Sequence, residues 1–201
     1  IGDSFHWRMP IASVQAPGTR DENGPQGLTA ALFGAGLGDI EPTAFTSEDV
    51  MAATFNKELI YEVGKQIGNN CLQADVVCLY GPGSNTHRTP YGGRNFEYYS
   101  EDGFLAGEMA YAEVSALVNH GIDVVFKHFA LNDSEQDRLG QAAWLTEQAA
   151  REIYLKAFQR ALEENGGRGG IMTAYTRWGT TWSGFNQKLM SGILRGEWGN
   201  K

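Results

Sequence analysis

Lys127 and His128 stand side by side at the end of the apolar run Ile122-Asp123-Val124-Val125-Phe126. An ammonium and an imidazole at such a position offer two hydrogen-bond donors across the rim of a sheet. Arg94 lies upstream in Gly92-Gly93-Arg94-Asn95-Phe96-Glu97, and Asn132-Asp133-Ser134-Glu135 follows downstream. Cationic, amide and carboxylate groups are thereby gathered between positions 94 and 135. That mixture suits a polyhydroxylated ligand, because a sugar hydroxyl both donates and accepts hydrogen bonds.

The elements that must position these groups alternate between helical and strand-like periods. From Ser47 to Gln73, Val50, Met51, Ala53, Phe55, Leu59, Ile60, Val63 and Ile67 recur at helical spacing, with Thr46 or Ser47 as N-cap. Val76 to Tyr80 is a short apolar run stopped by Gly81-Pro82-Gly83, the pattern of a strand buried on both faces. A polar loop spans Ser84 to Asp102. A helix is expected from Phe104 to His120 with Gly121 as C-cap, then a strand from Ile122 to Phe126. A long helix from Ala142 to Asn165, stopped by Gly166-Gly167, leads to a strand at Ile171 to Tyr175 and a helix from Asn186 to Trp198. A fourth strand is expected around Ile11 to Gln15.

Strands alternating with helices in this way specify βα units around a parallel sheet, either doubly wound or part of a (β/α)8 barrel. Both architectures place function at the C-terminal ends of strands, where the polar and aromatic stretches of this sequence fall. A closed barrel needs eight strands and about 250 residues. The 201 residues therefore read as roughly half a barrel, one unit from 1 to 201 with one packed core.

Composition narrows the partners. With 42% hydrophobic and 11% aromatic residues the chain is not intrinsically disordered, and a net charge of −8 disfavours nucleic acid and anionic membrane surfaces. No apolar stretch reaches the roughly 20 residues that span a bilayer, and the start Ile1-Gly2-Asp3-Ser4 has neither an initiator Met nor a signal peptide. The chain is expected to begin within a longer one. Cys71 and Cys78 read as buried free thiols rather than a disulfide, and His6, His87, His120 and His128 have no metal-ligand spacing, so neither metal nor cofactor is expected.

Other candidates carry blander readings. Asp133 and Glu135 more readily pair with Arg138 or accept loop donors than perform acid–base chemistry, and Glu97 is placed to orient the Arg94 guanidinium. The Gly-rich loop around His87 and Arg88 lacks the Lys-Ser/Thr ending of a phosphate-binding loop. Trp178 and Trp182 either stack on a sugar face or pack locally; Trp144 and Trp198 read as core or interface residues. Lys127 as a Schiff-base amine in another barrel enzyme is the weaker alternative.

Three ordered motifs carry a family resemblance. Gly92-Gly93-Arg94-Asn95-Phe96-Glu97-Tyr98-Tyr99-Ser100-Glu101-Asp102, Lys127-His128-Phe129-Ala130-Leu131-Asn132-Asp133-Ser134-Glu135 and Ile171-Met172-Thr173-Ala174-Tyr175 resemble the barrel domain of glycoside hydrolase family 3, the β-glucosidases and their relatives. Glu22 to Leu28, Ala52 to Asn56 and Leu194 to Gly199 are similar to further family segments.

The resemblance implies a (β/α)8 barrel and a retaining β-glycosidase acting on terminal non-reducing β-D-glucosyl residues, in which Lys127, His128 and Arg94 hold the sugar next to the scissile bond. Tyr175 matches a tyrosine near the nucleophile, and Met172 a residue lining the same pocket. In the family's Asp-Gly-Pro motif this chain has Asn23-Gly24-Pro25, so either Asn23 or the nearby Asp21 takes the hydroxyl-binding role. The resemblance also implies that the nucleophile strand lies beyond Lys201 and the acid/base on a further domain, so that no catalytic carboxylate is expected here. A non-catalytic carbohydrate-binding remnant is the alternative.

Half a barrel leaves strand edges unpaired and an apolar face open to water. The isolated chain is expected to self-associate, or to be completed by the remainder of its protein or a second copy. Sedimentation velocity checks this, and a monodisperse, cooperatively folding monomer would count against it.

Overall fold

The computed structural model describes residues 7–8, 10–29, 41–165 and 169–200. The chain start, His6 and the Gly166-Gly167 helix stop lie outside the described residues. Along the chain run β1 (Trp7–Arg8), β2 (Thr19–Asn23), α1 (Glu48–Ala52), α2 (Lys57–Gln73), β3 (Val76–Tyr80), α3 (Gly103–Asn119) and β4 (Asp123–Phe129). There follow β5 (Ala142–Ala143), α4 (Glu147–Ala149), α5 (Lys156–Glu164), β6 (Gly170–Thr173), the short pair β7 (Arg177–Trp178) and β8 (Thr181–Trp182), and α6 (Lys188–Glu197).

The main sheet has the order β1-β2-β3-β4-β6, with β2, β3, β4 and β6 parallel and β1 antiparallel at the edge. Consecutive parallel strands lie side by side with no reversal of order. That is the wall of a barrel; a doubly wound sheet changes direction at a switch point. Helix α2 packs on α3 and α3 on α5, so the helices form one continuous layer. The fold is an incomplete (β/α)8-type barrel.

Two glycines set local geometry. A Cβ on Gly64 would lie 2.8 Å from the Ala116 Cβ and 3.0 Å from the Glu113 carbonyl oxygen, so glycine there lets α2 approach α3. Gly121, at φ +79, ends α3 in the left-handed conformation that a side chain resists. Between strands and helices, Phe158 of α5 meets Phe126 and Phe129 of β4 at centroid distances of 5.0 and 5.4 Å, and Trp198 meets Phe129 at 5.9 Å. Trp198 is therefore core, whereas Trp144 is 76% exposed and belongs to no core.

Several expected boundaries move. Ile11 to Gln15 is not a strand: Ala12–Val14 forms a tight helical turn and Gln15 is left-handed at φ 54, closing the Ile11–Ala16 bridge. The strand lies instead at Thr19–Asn23, whose polar sequence hides it. The single helix expected from Ser47 to Gln73 is two, because Phe55 takes φ 51 and the Asn56 side chain accepts from the Leu59 N–H to start α2 afresh. Ala142 and Ala143 pair in parallel with β7, and the helix begins only after Thr146, whose hydroxyl accepts from the Ala149 N–H. Its turns widen through Ala150–Tyr154 before α5. Helix α6 is wound equally wide, with the Trp198 N–H on the Ile193 carbonyl.

The helix layer also encloses two acids. Glu48 of α1 and Glu113 of α3 have no exposed surface; Glu113 accepts from the Tyr99 hydroxyl at 2.5 Å and Glu48 from the Gln26 amide. Burial pushes the Glu113 carboxyl up to about 8, opposed by the Tyr99 hydrogen bond, and burial raises Glu48 as well, with Glu113 adding to it. The folded state thus binds the Glu113 proton more tightly than the unfolded chain does. Its contribution to stability is complete below about pH 4.5 and is lost as pH rises through about 8. Glu113→Gln, which can still accept from Tyr99, is expected to flatten the stability profile between these limits and to raise stability at pH 8 by on the order of 1–3 kcal/mol. Urea denaturation of both forms at pH 5 and pH 8 measures it.

Candidate functional site

Lys127 and His128 are not loop residues; they form the last turns of the pleat in β4, 2% and 6% exposed. The Lys127 backbone is fastened to the end of β3, its N–H on the Pro82 carbonyl at 3.1 Å and its carbonyl accepting from Ser84 N–H at 2.9 Å. Phe126, one residue earlier, turns toward α5, so Lys127 faces the opposite, interior side. There its Nζ donates to Asn23 Oδ1 of β2 at 2.7 Å. Burial pulls the Lys127 amine below its ordinary range, aided by Arg94 and opposed by the fields of Glu97 and Glu48.

Between Asn23 and Asp21 the geometry separates the two. Asn23 contacts Lys127, while Asp21, one pleat repeat earlier, accepts from the Tyr80 hydroxyl at 3.0 Å. Met172 of β6 lies in register with Lys127 and is half-buried beside it.

His128 is gripped on both sides of its backbone by one amide: its N–H donates to Asn85 Oδ1 at 3.0 Å, and its carbonyl accepts from Asn85 Nδ2 at 3.1 Å. The ring Nδ1 is 2.9 Å from the Tyr98 hydroxyl. Burial, with Arg94, Lys127 and Arg138 adding in the same direction, holds the imidazole down to about 2, so it is neutral across the ordinary pH range.

Arg94 pairs with Glu97 and also approaches Glu135, whose Oε1 is 3.8 Å from Nη1. Glu135 accepts from Asn132 Nδ2 at 2.8 Å and from Arg138 Nη1 at 2.7 Å. Arg138 in turn lies 5.0 Å above the ring of Tyr175, which is half-exposed after β6. Asp133 accepts from both the N–H and the hydroxyl of Thr86 at 2.8 Å, yet burial still pushes its carboxyl up to about 6. Both acids are thus held as the bland reading expected, and Glu97 orients Arg94.

Of the residues singled out in the sequence, Arg94, Lys127, His128, Asn23, Met172 and Tyr175 converge through these contacts at the C-terminal ends of β2, β3, β4 and β6. Asp21 instead meets the Tyr80 hydroxyl. Tyr98 and Asn85 were missed; Tyr98 reads as one more core aromatic in Phe96-Glu97-Tyr98-Tyr99, and its position shortly after Arg94 was the available signal. Trp182 packs locally, its Nε1 donating to the Ala174 carbonyl at 2.7 Å and its ring edge-on to Phe185. Cys71 and Cys78 are buried and are not joined in a disulfide. Among the described residues no group of three or more His, Cys, Asp or Glu side chains could hold a metal ion, and no helix is long and apolar enough to cross a membrane. A cavity of about 550 Å³ between α4 and α6, lined by Trp178, Arg151 and Glu197, contains none of the converging residues.

Comparison with known proteins gives the arrangement its context. Residues 32–201 match the model of the glycosyl hydrolase family 3 N-terminal domain. The chain is 37% identical to an exo-α-(1→6)-L-arabinopyranosidase of Bifidobacterium breve over 98% of its own length and 27% of that protein. It is 42% identical to a β-glucosidase of Ruminococcus albus over 80% of its length and 17% of that protein. Among solved structures, β-glucosidase 3B of Thermotoga neapolitana in complex with α-D-glucose superposes with a TM-score of 0.88 at 36% identity, covering 96% of this chain and 27% of that one. A family 3 β-glucosidase of Bifidobacterium adolescentis gives 0.91 at 34% identity, covering 100% and 28%. The chain spans about a quarter of the length of most of these relatives, and it belongs to glycosyl hydrolase family 3.

Proposed function

We propose that this chain supplies the sugar-binding subsite of a retaining β-glycosidase that hydrolyses terminal non-reducing β-D-glucosyl residues. The observation that carries the reading is the convergence of Lys127, His128, Arg94 and Asn23 at the ends of parallel strands, all buried or half-buried and held by the fold. Lys127, His128 and Arg94 act as donors to sugar hydroxyls, Asn23 fixes the ammonium, and Met172 and Tyr175 close the apolar side of the pocket. Asp21 acts indirectly, through Tyr80. Glucose in the structures of several relatives is in keeping with this substrate class.

A retaining mechanism uses two carboxylates about 5 Å apart, one attacking the anomeric carbon and one protonating the leaving oxygen. Asp133 is occupied by Thr86, and Glu135 by Asn132 and Arg138. Both catalytic carboxylates are accordingly assigned outside this chain, which is the N-terminal part of the barrel domain over 1–201, completed by the remainder of its own protein or a second copy. The second reading, a carbohydrate-binding remnant without hydrolysis, rests on the same occupied acids.

Calorimetric titration with glucose, paired with an assay of aryl β-D-glucoside and aryl α-L-arabinopyranoside in the longest polypeptide that carries the chain, tests the proposal. Turnover of the glucoside supports it; glucose binding without turnover of either substrate favours the remnant; no binding overturns both. Lys127→Met is expected to weaken glucose binding by about 10- to 100-fold through loss of a charged donor. Asn23→Asp converts the 2.7 Å contact into an ion pair and is expected to raise the Lys127 pKa. The pH dependence of Lys127 reductive methylation should then move to higher pH; an unmoved profile would show that the two side chains do not communicate.

A further inference from the structure

Resting on the sugar-subsite reading, we propose that Asn132 and Tyr98 are positioning residues that hold His128 as the tautomer protonated on Nε2. The ring then presents a hydrogen-bond donor, and not an acceptor, to the sugar.

The ionised pair of Glu135 and Arg138 fixes the polarity of this chain of contacts. The Glu135 carboxylate can only accept, and it does so from Arg138 and from Asn132 Nδ2. The Asn132 amide nitrogen must therefore face Glu135; the reverse orientation would set a carbonyl against a carboxylate. The same nitrogen reaches the Tyr98 hydroxyl oxygen at 3.1 Å with its second N–H. Tyr98 is an acceptor in that contact, which leaves its single proton for its other neighbour, His128 Nδ1 at 2.9 Å. Nδ1 is then the unprotonated nitrogen, and a neutral ring carries its hydrogen on Nε2.

Two further observations fit this order. The Asn132 Oδ1 is buried with no hydrogen-bond partner, the penalty of an amide orientation dictated by its nitrogen. The His128 ring is also fixed in place, since Asn85 holds the backbone on both sides and the Tyr98 ring meets the imidazole edge-on at 6.0 Å and 82°. Among the described residues Nε2 has no hydrogen-bond partner within the fold and is the polar atom left for a ligand. With Lys127 and Arg94 alongside, all three groups approach the sugar as donors, so each hydroxyl they touch must accept there and give its own proton elsewhere.

The test is the nitrogen spectrum of the full chain labelled with 15N-histidine, read by solid-state spectroscopy, which self-association does not obscure. His128 is identified by the resonances missing from His128→Gln. The expected pattern is a pyridine-like Nδ1 and a pyrrole-like Nε2. In Tyr98→Phe, which keeps the ring and removes the hydroxyl, that preference is expected to vanish and glucose affinity to fall about tenfold. Asn132→Leu, which removes the donor to Tyr98, is expected to shift the tautomer balance in the same direction. A pyrrole-like Nδ1 in the unsubstituted chain overturns the proposal, as does an unchanged tautomer in folded Tyr98→Phe. The expected spectrum in a chain that binds no glucose would support the relay while rejecting the sugar reading, so the two fail separately.

Discussion

The buried ammonium of Lys127 is the constraint around which the rest of the structure is arranged. A charge in so shielded a place is costly unless an acceptor meets it and opposite charge lies nearby. Asn23 provides the acceptor, and Glu97 and Glu48 provide the field. That requirement fixes more than a side chain. It demands that β2 lie two strands away in a set register, with a polar residue on its interior face, and that the loop after β3 bring Glu97 back beneath the sheet rim. The interior end of this barrel wall is accordingly polar, while the contacts between β4 and α5 are aromatic.

Around the ammonium the donors are held by side chains from different elements. Glu135 ties Arg94, Asn132 and Arg138 together, and Arg138 carries the link on to Tyr175 after β6. Asn85 and the Tyr98 hydroxyl do the same for His128. Each group is thus oriented by side chains within the fold, so on the proposed sugar reading the cost of ordering them falls on folding and not on binding.

Much of this was legible in the sequence. Strand β3 matched its expected limits, and α3, β4 and β6 lay where apolar runs and glycine stops put them: most of β3, α3 and β4 is buried and the hydrophobic pattern reports that burial, whereas β6 is only half-buried and its apolar run alone marked it. Strand β2 was not legible: Thr19-Arg20-Asp21-Glu22-Asn23 reads as a polar loop, but Arg20 lies 3.9 Å from Glu22 and Asp21 meets Tyr80, so polar pairing replaces apolar burial. Hydropathy is blind to such compensation. The break at Phe55 and the extended Ala142–Ala143 were hidden for another reason, since helical spacing of apolar residues persists through a local cap or a short strand pairing. At the site, the Lys-His pair and Arg94 were visible as types and spacing, whereas Tyr98 was not, because a tyrosine among aromatics carries no sign that its hydroxyl matters.

The hydrogen bond from Lys127 to Asn23 joins positions 104 residues apart. A chimaera whose junction falls between β2 and β4 therefore takes the ammonium from one parent and its acceptor from the other, and keeps the contact only where both parents encode the pair. A junction placed beyond β4 leaves both partners of the contact in the same parent.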